Sequence, residues 1–312
     1  MTSDQQLVLL IFAGITGLLV GSFLNVCIFR LPRECMSIVR PRSRCVKCRQ
    51  FIAWYDNIPV VSWLILGGKC RHCRTPVSAR YAVVELVTGI AFAGAAYVQL
   101  YHPLPATEGW HRAAWFAVQA YLTSALIVCT FIDLEFTILP DEITKSGIVL
   151  GLVAGTAAPI IYYFTGPDGG GWNLVWPPGV DSIPQPWVRW GLRGLATAAA
   201  GALVGGGSIW LVGIIGKVLF RKEAMGFGDV KLLAFLGAFL GPRSVLAGFF
   251  VAVLLGALFG IGKFIAVRRM GYVPFGPFLS AGALAMVFAG RFIWDLFDAY
   301  IRWVGSLAGP PG

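Results

Sequence analysis

Charge is what this sequence has least of. Only 13% of its 312 residues are Asp, Glu, Lys or Arg, against 57% hydrophobic. A chain of that composition cannot keep its apolar surface inside a water-soluble core, which excludes a cytosolic enzyme, and it is far too apolar for a disordered chain. Cysteine is sparse as well, seven in all, and a secreted disulfide scaffold is excluded with it. No internal repeat and no low-complexity tract is visible. No glycine-rich strand-to-helix motif is present either, so nothing announces a separate α/β cofactor domain.

What the sequence does have is long apolar runs. A bilayer span takes ~20 largely apolar residues, and windows of that size fall near 7–29, 81–100, 113–132, 146–165, 194–219, 243–262 and 275–294. A shorter piece runs from Leu232 to Leu240. At ~1.5 Å per residue it is too short to cross alone, so it is either a half-helix or a span that borrows Asp229 to Lys231. Counting it gives about eight spans, and the expected fold class is an all-α integral membrane protein. Leu7 to Phe29 lacks a basic leader and a small-residue cleavage site, so it is expected to stay as the first transmembrane helix. The expected divisions are that helix (1–29), a cytoplasmic loop domain (30–80), transmembrane helices 2 and 3 (81–132), a membrane core (133–294) with an outer loop (166–193), and a C-terminal tail (295–312).

The net charge is +10, and its placement matters more than its size. The segment Arg30 to Arg80 holds eleven Lys/Arg against Glu34 and Asp56. Basic residues near span ends stay cytoplasmic, which puts this loop inside and the N-terminus outside. Threading the remaining spans leaves 19 of the 25 Lys/Arg inside. The basicity therefore reads as an orientation signal with attraction to anionic membrane lipid. Nucleic acid is not an expected partner, since no base-stacking platform or reader motif accompanies the charge. Trp172, Trp176, Trp187 and Trp190 of the outer loop suit a membrane-interface belt.

Four cysteines form two Cys-x-x-Cys pairs, Cys45-Val-Lys-Cys48 and Cys70-Arg-His-Cys73, with 21 residues between them. Two such knuckles supply four thiolates for tetrahedral zinc. The loop needs the metal, because a segment of ~50 residues has little core of its own and ligand binding becomes folding free energy. A disulfide reading conflicts with the reducing cytoplasm, and a redox pair is the remaining competitor. Four thiolates leave no open coordination position, so the zinc is expected to be structural. Cys27 and Cys129 lie within spans as small packing residues, while Cys35 and His72 are further potential ligands near the loop.

Because acidic residues are scarce, their positions are informative. Asp133 ends the third span, directly after Cys-Thr-Phe-Ile, and Asp229 sits in MGFGDVK, Met225 to Lys231. In this topology both fall at the cytoplasmic face. A carboxylate at a membrane edge is expensive and points to function. Two that approach each other share one proton, so that one activates water and the other protonates the scissile group. Gly226 and Gly228 permit a turn and close approach of substrate beside Asp229, with Lys231 closing the segment. The competing reading is that these are solvated loop acids.

These segments together resemble the type IV prepilin peptidases, membrane aspartyl proteases with a Gly-x-Gly-Asp motif. The resemblance is carried by GSFLNVCIFRLP (Gly21 to Pro32), SIVRPRSRC (Ser37 to Cys45), WYDNIPVVSW (Trp54 to Trp63), GGKCRHC (Gly67 to Cys73) and RYAVVELVTG (Arg80 to Gly89). It continues through IDLEFTILPDEIT (Ile132 to Thr144), MGFGDVKLLAFLGAFLG (Met225 to Gly241) and PFGPFL (Pro274 to Leu279). It implies that Asp133 and Asp229 are the catalytic pair, with Asp141 the alternative first aspartate. Asp133 is preferred because the bilayer edge can hold and desolvate it. The implied substrates are prepilin or pseudopilin leaders, cut at the cytoplasmic face of the bacterial inner membrane. The implied second step is N-methylation of the new N-terminus with S-adenosylmethionine as methyl donor; Glu85, beside the zinc loop, is a candidate contact to cofactor or amine, the competing reading being a structural partner for a nearby Arg or Lys. Two departures stand out: the 166–193 stretch lengthens the interval between the aspartates, and Val46 replaces a common proline in the first knuckle. The alternatives are a peptidase without methyltransferase activity, an ion-coupled carrier using the same aspartates, and an idle assembly component. Absence of inverted repeats and paired broken helices argues against the carrier.

Overall fold

The computed structural model describes residues 2–33, 37–39, 42–101, 110–165, 185–221, 226–267 and 273–307. Cys35, Met225, the outer-loop stretch 166–184 with Trp172 and Trp176, and the end of the tail lie outside the described residues. Among those described, every regular element is a helix. These are α1 (Ser3–Arg30), α2 (Val61–Ile65), α3 (Arg80–Tyr101), α4 (Trp110–Phe136), α5 (Asp141–Thr165), α6 (Pro186–Phe220), α7 (Phe227–Val267) and α8 (Gly276–Leu307), with short 3₁₀ turns at Leu31–Arg33 and Trp54–Asn57. The expected all-α membrane class is what the chain adopts.

Among the described residues, five helices are long and apolar enough to cross a bilayer: α1, α3, α4, α6 and α7. The bent α8 makes a sixth if it counts as one span. All eight apolar stretches of the sequence lie in helices, but two of them share α7. The Leu232–Leu240 piece does borrow Asp229 to Lys231, since α7 begins at Phe227. It then stops at Gly241 (φ 76, ψ 170) before Pro242. Proline lacks an N–H, clashes with the preceding turn and drives the residue before it out of the helical region, and glycine tolerates the positive φ that results.

The chain divides into two compact units, Met1–Ile143 and Thr144–Gly312. In the first, a capping box starts α1: the Gln5 N–H donates to Thr2 Oγ1 at 3.4 Å and the Thr2 N–H donates to Gln5 Oε1 at 3.1 Å. Lipid offers apolar helices no hydrophobic reason to associate, so close backbone approach must do it. A Cβ added to Gly17 would lie 2.7 Å from the Thr88 carbonyl oxygen, and one on Gly21 would lie 2.7 Å from the Glu85 Cα. Those glycines press α1 onto α3. Leu24, Cys27 and Ile28 of α1, Val84 of α3, and Ile127, Val128 and Ile132 of α4 then form one buried cluster. Leu7, Phe12, Leu19 and Phe23 remain exposed on α1, as a lipid-facing surface requires.

The second unit uses the same device. A side chain on Gly201 or Gly205 of α6 would collide with the carbonyls of Gly237 or Leu233 on α7, and one on Gly237 would strike Gly201. Gly147 and Gly151 of α5 similarly seat Phe235, Ala238 and Phe239 of α7. Gly282 of α8 faces the Gly248 carbonyl and Ala252 of α7.

Candidate active site and metal centre

The loop between α1 and α3 is organised by its cysteines. The four Sγ atoms of Cys45, Cys48, Cys70 and Cys73 all lie within 4.8 Å of one another, and Cys45 and Cys73 are 3.7 Å apart. None is disulfide-bonded. Tetrahedral zinc with Zn–S bonds of ~2.3 Å sets its sulfurs ~3.8 Å apart, so the donor set fits the ion in both chemistry and spacing.

The two knuckles are related by a local symmetry of the backbone. In the first knuckle the Cys45 N–H donates to the Gln50 carbonyl at 2.9 Å, and the Arg49 N–H donates to the Cys45 carbonyl at 2.9 Å. In the second, Cys70 N–H to the Thr75 carbonyl (2.9 Å) and Arg74 N–H to the Cys70 carbonyl (3.0 Å) repeat the pattern. Arg49 and Arg74 both take positive φ, 59 and 57, turning the chain tightly after each second cysteine. Bridges Arg44–Phe51 and Lys69–Pro76 close the two turns.

The thiols are unequal. The Thr75 hydroxyl, 3.2 Å from Cys73 Sγ, and the Thr75 backbone lower Cys73 to about 6. The Cys48 backbone N–H lowers Cys45. At Cys48 the Gln50 backbone pulls down, but burial and the neighbouring sulfurs of Cys45, Cys73 and Cys70 push the thiol up to about 11. A further clamp ties the Trp54–Asn57 turn to the second knuckle. Arg71 donates to Asp56 through Nε (3.0 and 2.8 Å) and Nη2 (2.5 Å), and this guanidinium holds the Asp56 carboxyl below its ordinary value.

Where the loop returns to the membrane helices, Glu85 is buried on α3 and accepts the Val60 N–H at 2.7 Å, with Ser22 of α1 as a second hydrogen-bond partner. Among the described residues no cation pairs with it.

Asp133 lies near the end of α4, 5% exposed, directly after the fully buried Ile132. Two residues on, Glu135 pairs with Arg80, the first residue of α3. Arg33 stacks over the rings of Phe29 (3.9 Å) and Phe136 (5.3 Å) beside it. Asp141 opens α5 together with Glu142, where carboxylates complement the helix N-terminus. Asp229 stands in the first turn of α7, half-buried, its N–H donating to the Gly226 carbonyl at 3.2 Å. A Cβ on Gly226 would come 3.9 Å from Asp229 Oδ2, an ordinary contact distance. Lys231 extends its ammonium over the Phe227 ring, 5.1 Å from the centroid.

The structure thus gathers the four cysteines, gathers Gly226, Gly228, Asp229 and Lys231 into one turn, and joins Glu85 to the cysteine loop. Asp133 and Asp141 belong to the first unit and Asp229 to the second. Three contacts here carry no sequence signal: Arg80 with Glu135, Asn25 with the Tyr81 carbonyl, and the Val60 N–H with Glu85. The pairing of Arg80 with Glu135 spans 55 residues, and a positive φ at a valine leaves no mark in composition.

Comparison with known proteins covers both units. Residues 15–99 match the bacterial peptidase A24 N-terminal domain, and residues 120–261 match the type IV leader peptidase family. A prepilin leader peptidase/N-methyltransferase of Myxococcus xanthus (strain DK1622) is 38% identical over 84% of this chain, which spans 65% of that relative's length. A type 4 prepilin-like proteins leader peptide-processing enzyme of Escherichia coli O78:H11 is 32% identical over 89% of the chain and 93% of the relative. A prepilin leader peptidase/N-methyltransferase of Neisseria gonorrhoeae is 33% identical over 90% and 91%. No solved structure matches.

Proposed function

Because the chain belongs to the type IV leader peptidase family, we propose that Asp133 and Asp229 are the two carboxylates with which it cleaves the leaders of type IV prepilins or pseudopilins. It is an integral membrane peptidase, and the names of its relatives extend the activity to N-methylation of the cleaved product. The observation that carries the aspartate assignment is the burial of Asp133 at the end of an apolar helix. A carboxylate held there, without the solvation a loop would give it, is in the environment an aspartyl dyad needs.

In such a dyad one carboxylate is ionised and the other holds the shared proton. The ionised one removes a proton from water as the oxygen attacks the scissile carbonyl. The protonated one hydrogen-bonds the carbonyl oxygen and gives its proton as the C–N bond breaks. Gly226 and Gly228 admit the leader backbone beside Asp229, and Lys231 closes that turn. Asp141 is the alternative partner, and its place at a helix start supports a structural role instead.

The cytoplasmic placement of this chemistry, and of the loop 30–80, is supported by the 19 of 25 Lys/Arg that the topology puts on one side. Zinc held by Cys45, Cys48, Cys70 and Cys73 would be structural. S-adenosylmethionine, when bound, supplies the methyl group. Glu85 is the residue we assign to this half, since a buried carboxylate without a cation suits a positively charged sulfonium or amine. Cleavage of a prepilin-like peptide by detergent-solubilised wild type, Asp133→Asn and Asp229→Asn tests the proposal. Wild-type turnover by either variant overturns it.

A further inference from the structure

The segment Ile58–Trp63 is strained where the cysteine loop meets the membrane helices. Val60 has φ 61 and ψ −49, and the Val61 N–H donates back to the Pro59 carbonyl at 2.6 Å. This is a γ-turn with positive φ at its centre, rare for any L-residue and an outlier for a β-branched one. Such a conformation persists only where its surroundings over-determine it. Here the surrounding group is a carboxylate, because the Val60 N–H is held by Glu85 Oε2 at 2.7 Å.

An acceptor without a donor stands on α1, against the first turn of α3. Asn25 of α1, 3% exposed, donates through Nδ2 to the Tyr81 carbonyl at 3.0 Å, and its Oδ1 is buried with no donor. The Tyr81 carbonyl is also the helical acceptor for the Glu85 N–H. Gly21, one turn before Asn25 on α1, lies against the Glu85 Cα, and Ser22 bonds the carboxylate. Where α1 meets α3 there stand, among the described residues, a buried carboxylate that accepts Val60 N–H and bonds Ser22 but pairs with no cation, and a buried amide oxygen with no donor, beside a strained turn. A buried amide oxygen without a donor is costly, and so is a buried carboxylate without a cation.

We propose that Glu85 and Asn25 form a binding site for a primary ammonium group, closed by the Val60 turn, and that its ligand is the N-terminus newly released by leader cleavage. This rests on the peptidase and methyltransferase reading above and narrows Glu85 from either positive group to the amine. An ammonium brings three donors, enough to replace the Val60 N–H on Glu85 and to satisfy Asn25 Oδ1. Release of Val60 lets its backbone relax. Glu85 then takes one proton from the ammonium, leaving the nitrogen lone pair free to accept a methyl group.

The test uses the full chain in detergent with no methyl donor present. It is titrated calorimetrically with one apolar peptide in two forms, free amine and N-acetylated. The wild type is expected to bind the free amine about tenfold more tightly or better, the scale of a charged hydrogen bond. Glu85→Gln and Asn25→Leu should each bind both forms alike, with zinc content reporting that the fold is intact. Val60→Gly adopts the closed turn without strain and should weaken free-amine binding about fivefold or more, leaving the acetylated form unchanged. Equal binding of both forms by the wild type overturns the site, as does a preference that survives in Glu85→Gln. If Glu85→Gln loses its zinc, Val60→Gly decides, and unchanged or tighter amine binding there overturns the lid. Leader cleavage by the same wild-type preparation is the separate check: no cleavage with intact amine preference defeats the peptidase reading and not the site.

Discussion

Arg80 donates through Nη1 to Glu135 Oε1, joining the first residue of α3 to the residue two places beyond Asp133. The cysteine loop leads directly into Arg80, so loop, ion pair and Asp133 form one continuous structure within the first unit. The pair is partly exposed, with side chains 18% and 37% accessible, and such pairs contribute only about 1 kcal/mol or less to stability. Its effect is expected in the placing of Asp133. Arg80→Glu should slow leader cleavage with little change in thermal unfolding, and the exchanged pair Arg80→Glu with Glu135→Arg should recover part of the rate. No recovery in the exchanged pair would show that the ion pair does not position the aspartate.

Metal content is the next prediction. The purified protein should carry about one zinc per chain, and Cys45→Ser combined with Cys73→Ser should lose it. Zinc binds thiolates, so binding releases protons and weakens as pH falls. Cys73, already lowered to about 6, needs little help from the metal, whereas Cys48, at about 11, must surrender a proton to bind. A chelator should therefore strip zinc faster on the acid side of neutrality. Release independent of pH would contradict thiolate ligation.

The Asp56–Arg71 clamp gives a second pH dependence of known sign. The folded carboxyl of Asp56 is lowered by Arg71. Its stabilising contribution is thus complete above the ordinary aspartate value and disappears as pH falls through the lower folded value. Asp56→Asn should release zinc to a chelator faster than wild type near neutral pH, and the two should converge in strong acid. A difference that widens on acidification would rule the clamp out.

Helix packing in the second unit offers a test independent of chemistry. Gly237→Ala drives a methyl into the Gly201 carbonyl, and overpacking of this kind costs about 1–3 kcal/mol. Gly207→Ala, on α6 with open space around it, should be tolerated. Detergent unfolding midpoints of the two variants should separate clearly, and equal midpoints would refute the close α6–α7 approach.

Much of this was legible in the amino-acid order because the controlling physics is local. Apolar length marks a span, and two Cys-x-x-Cys pairs define a four-sulfur site whatever the intervening chain does. The scarcity of acids drew attention to Asp133, and the structure shows it buried as a span end requires. What stayed hidden depends on contacts far apart in sequence. Arg80 finds Glu135 across 55 residues, and Asn25 finds Tyr81 across 56. The backbone match of the two knuckles is hidden because it lies in hydrogen bonds and a left-handed conformation at Arg49 and Arg74, which residue order does not display. The Leu232–Leu240 piece is too short to cross a bilayer alone, and it belongs to the first segment of a longer helix broken at Gly241 and Pro242.

The central proposal is that Asp133 and Asp229 are the two carboxylates that perform the cleavage. Its most direct test is the rate of prepilin-leader hydrolysis by Asp133→Asn and Asp229→Asn, each verified to retain zinc. Both should fall by about 10²- to 10⁴-fold, the scale of a lost acid–base group, while Asp141→Asn stays near the wild-type rate. Wild-type cleavage by either of the first two, or loss of cleavage in Asp141→Asn with full activity in Asp133→Asn, would contradict the assignment.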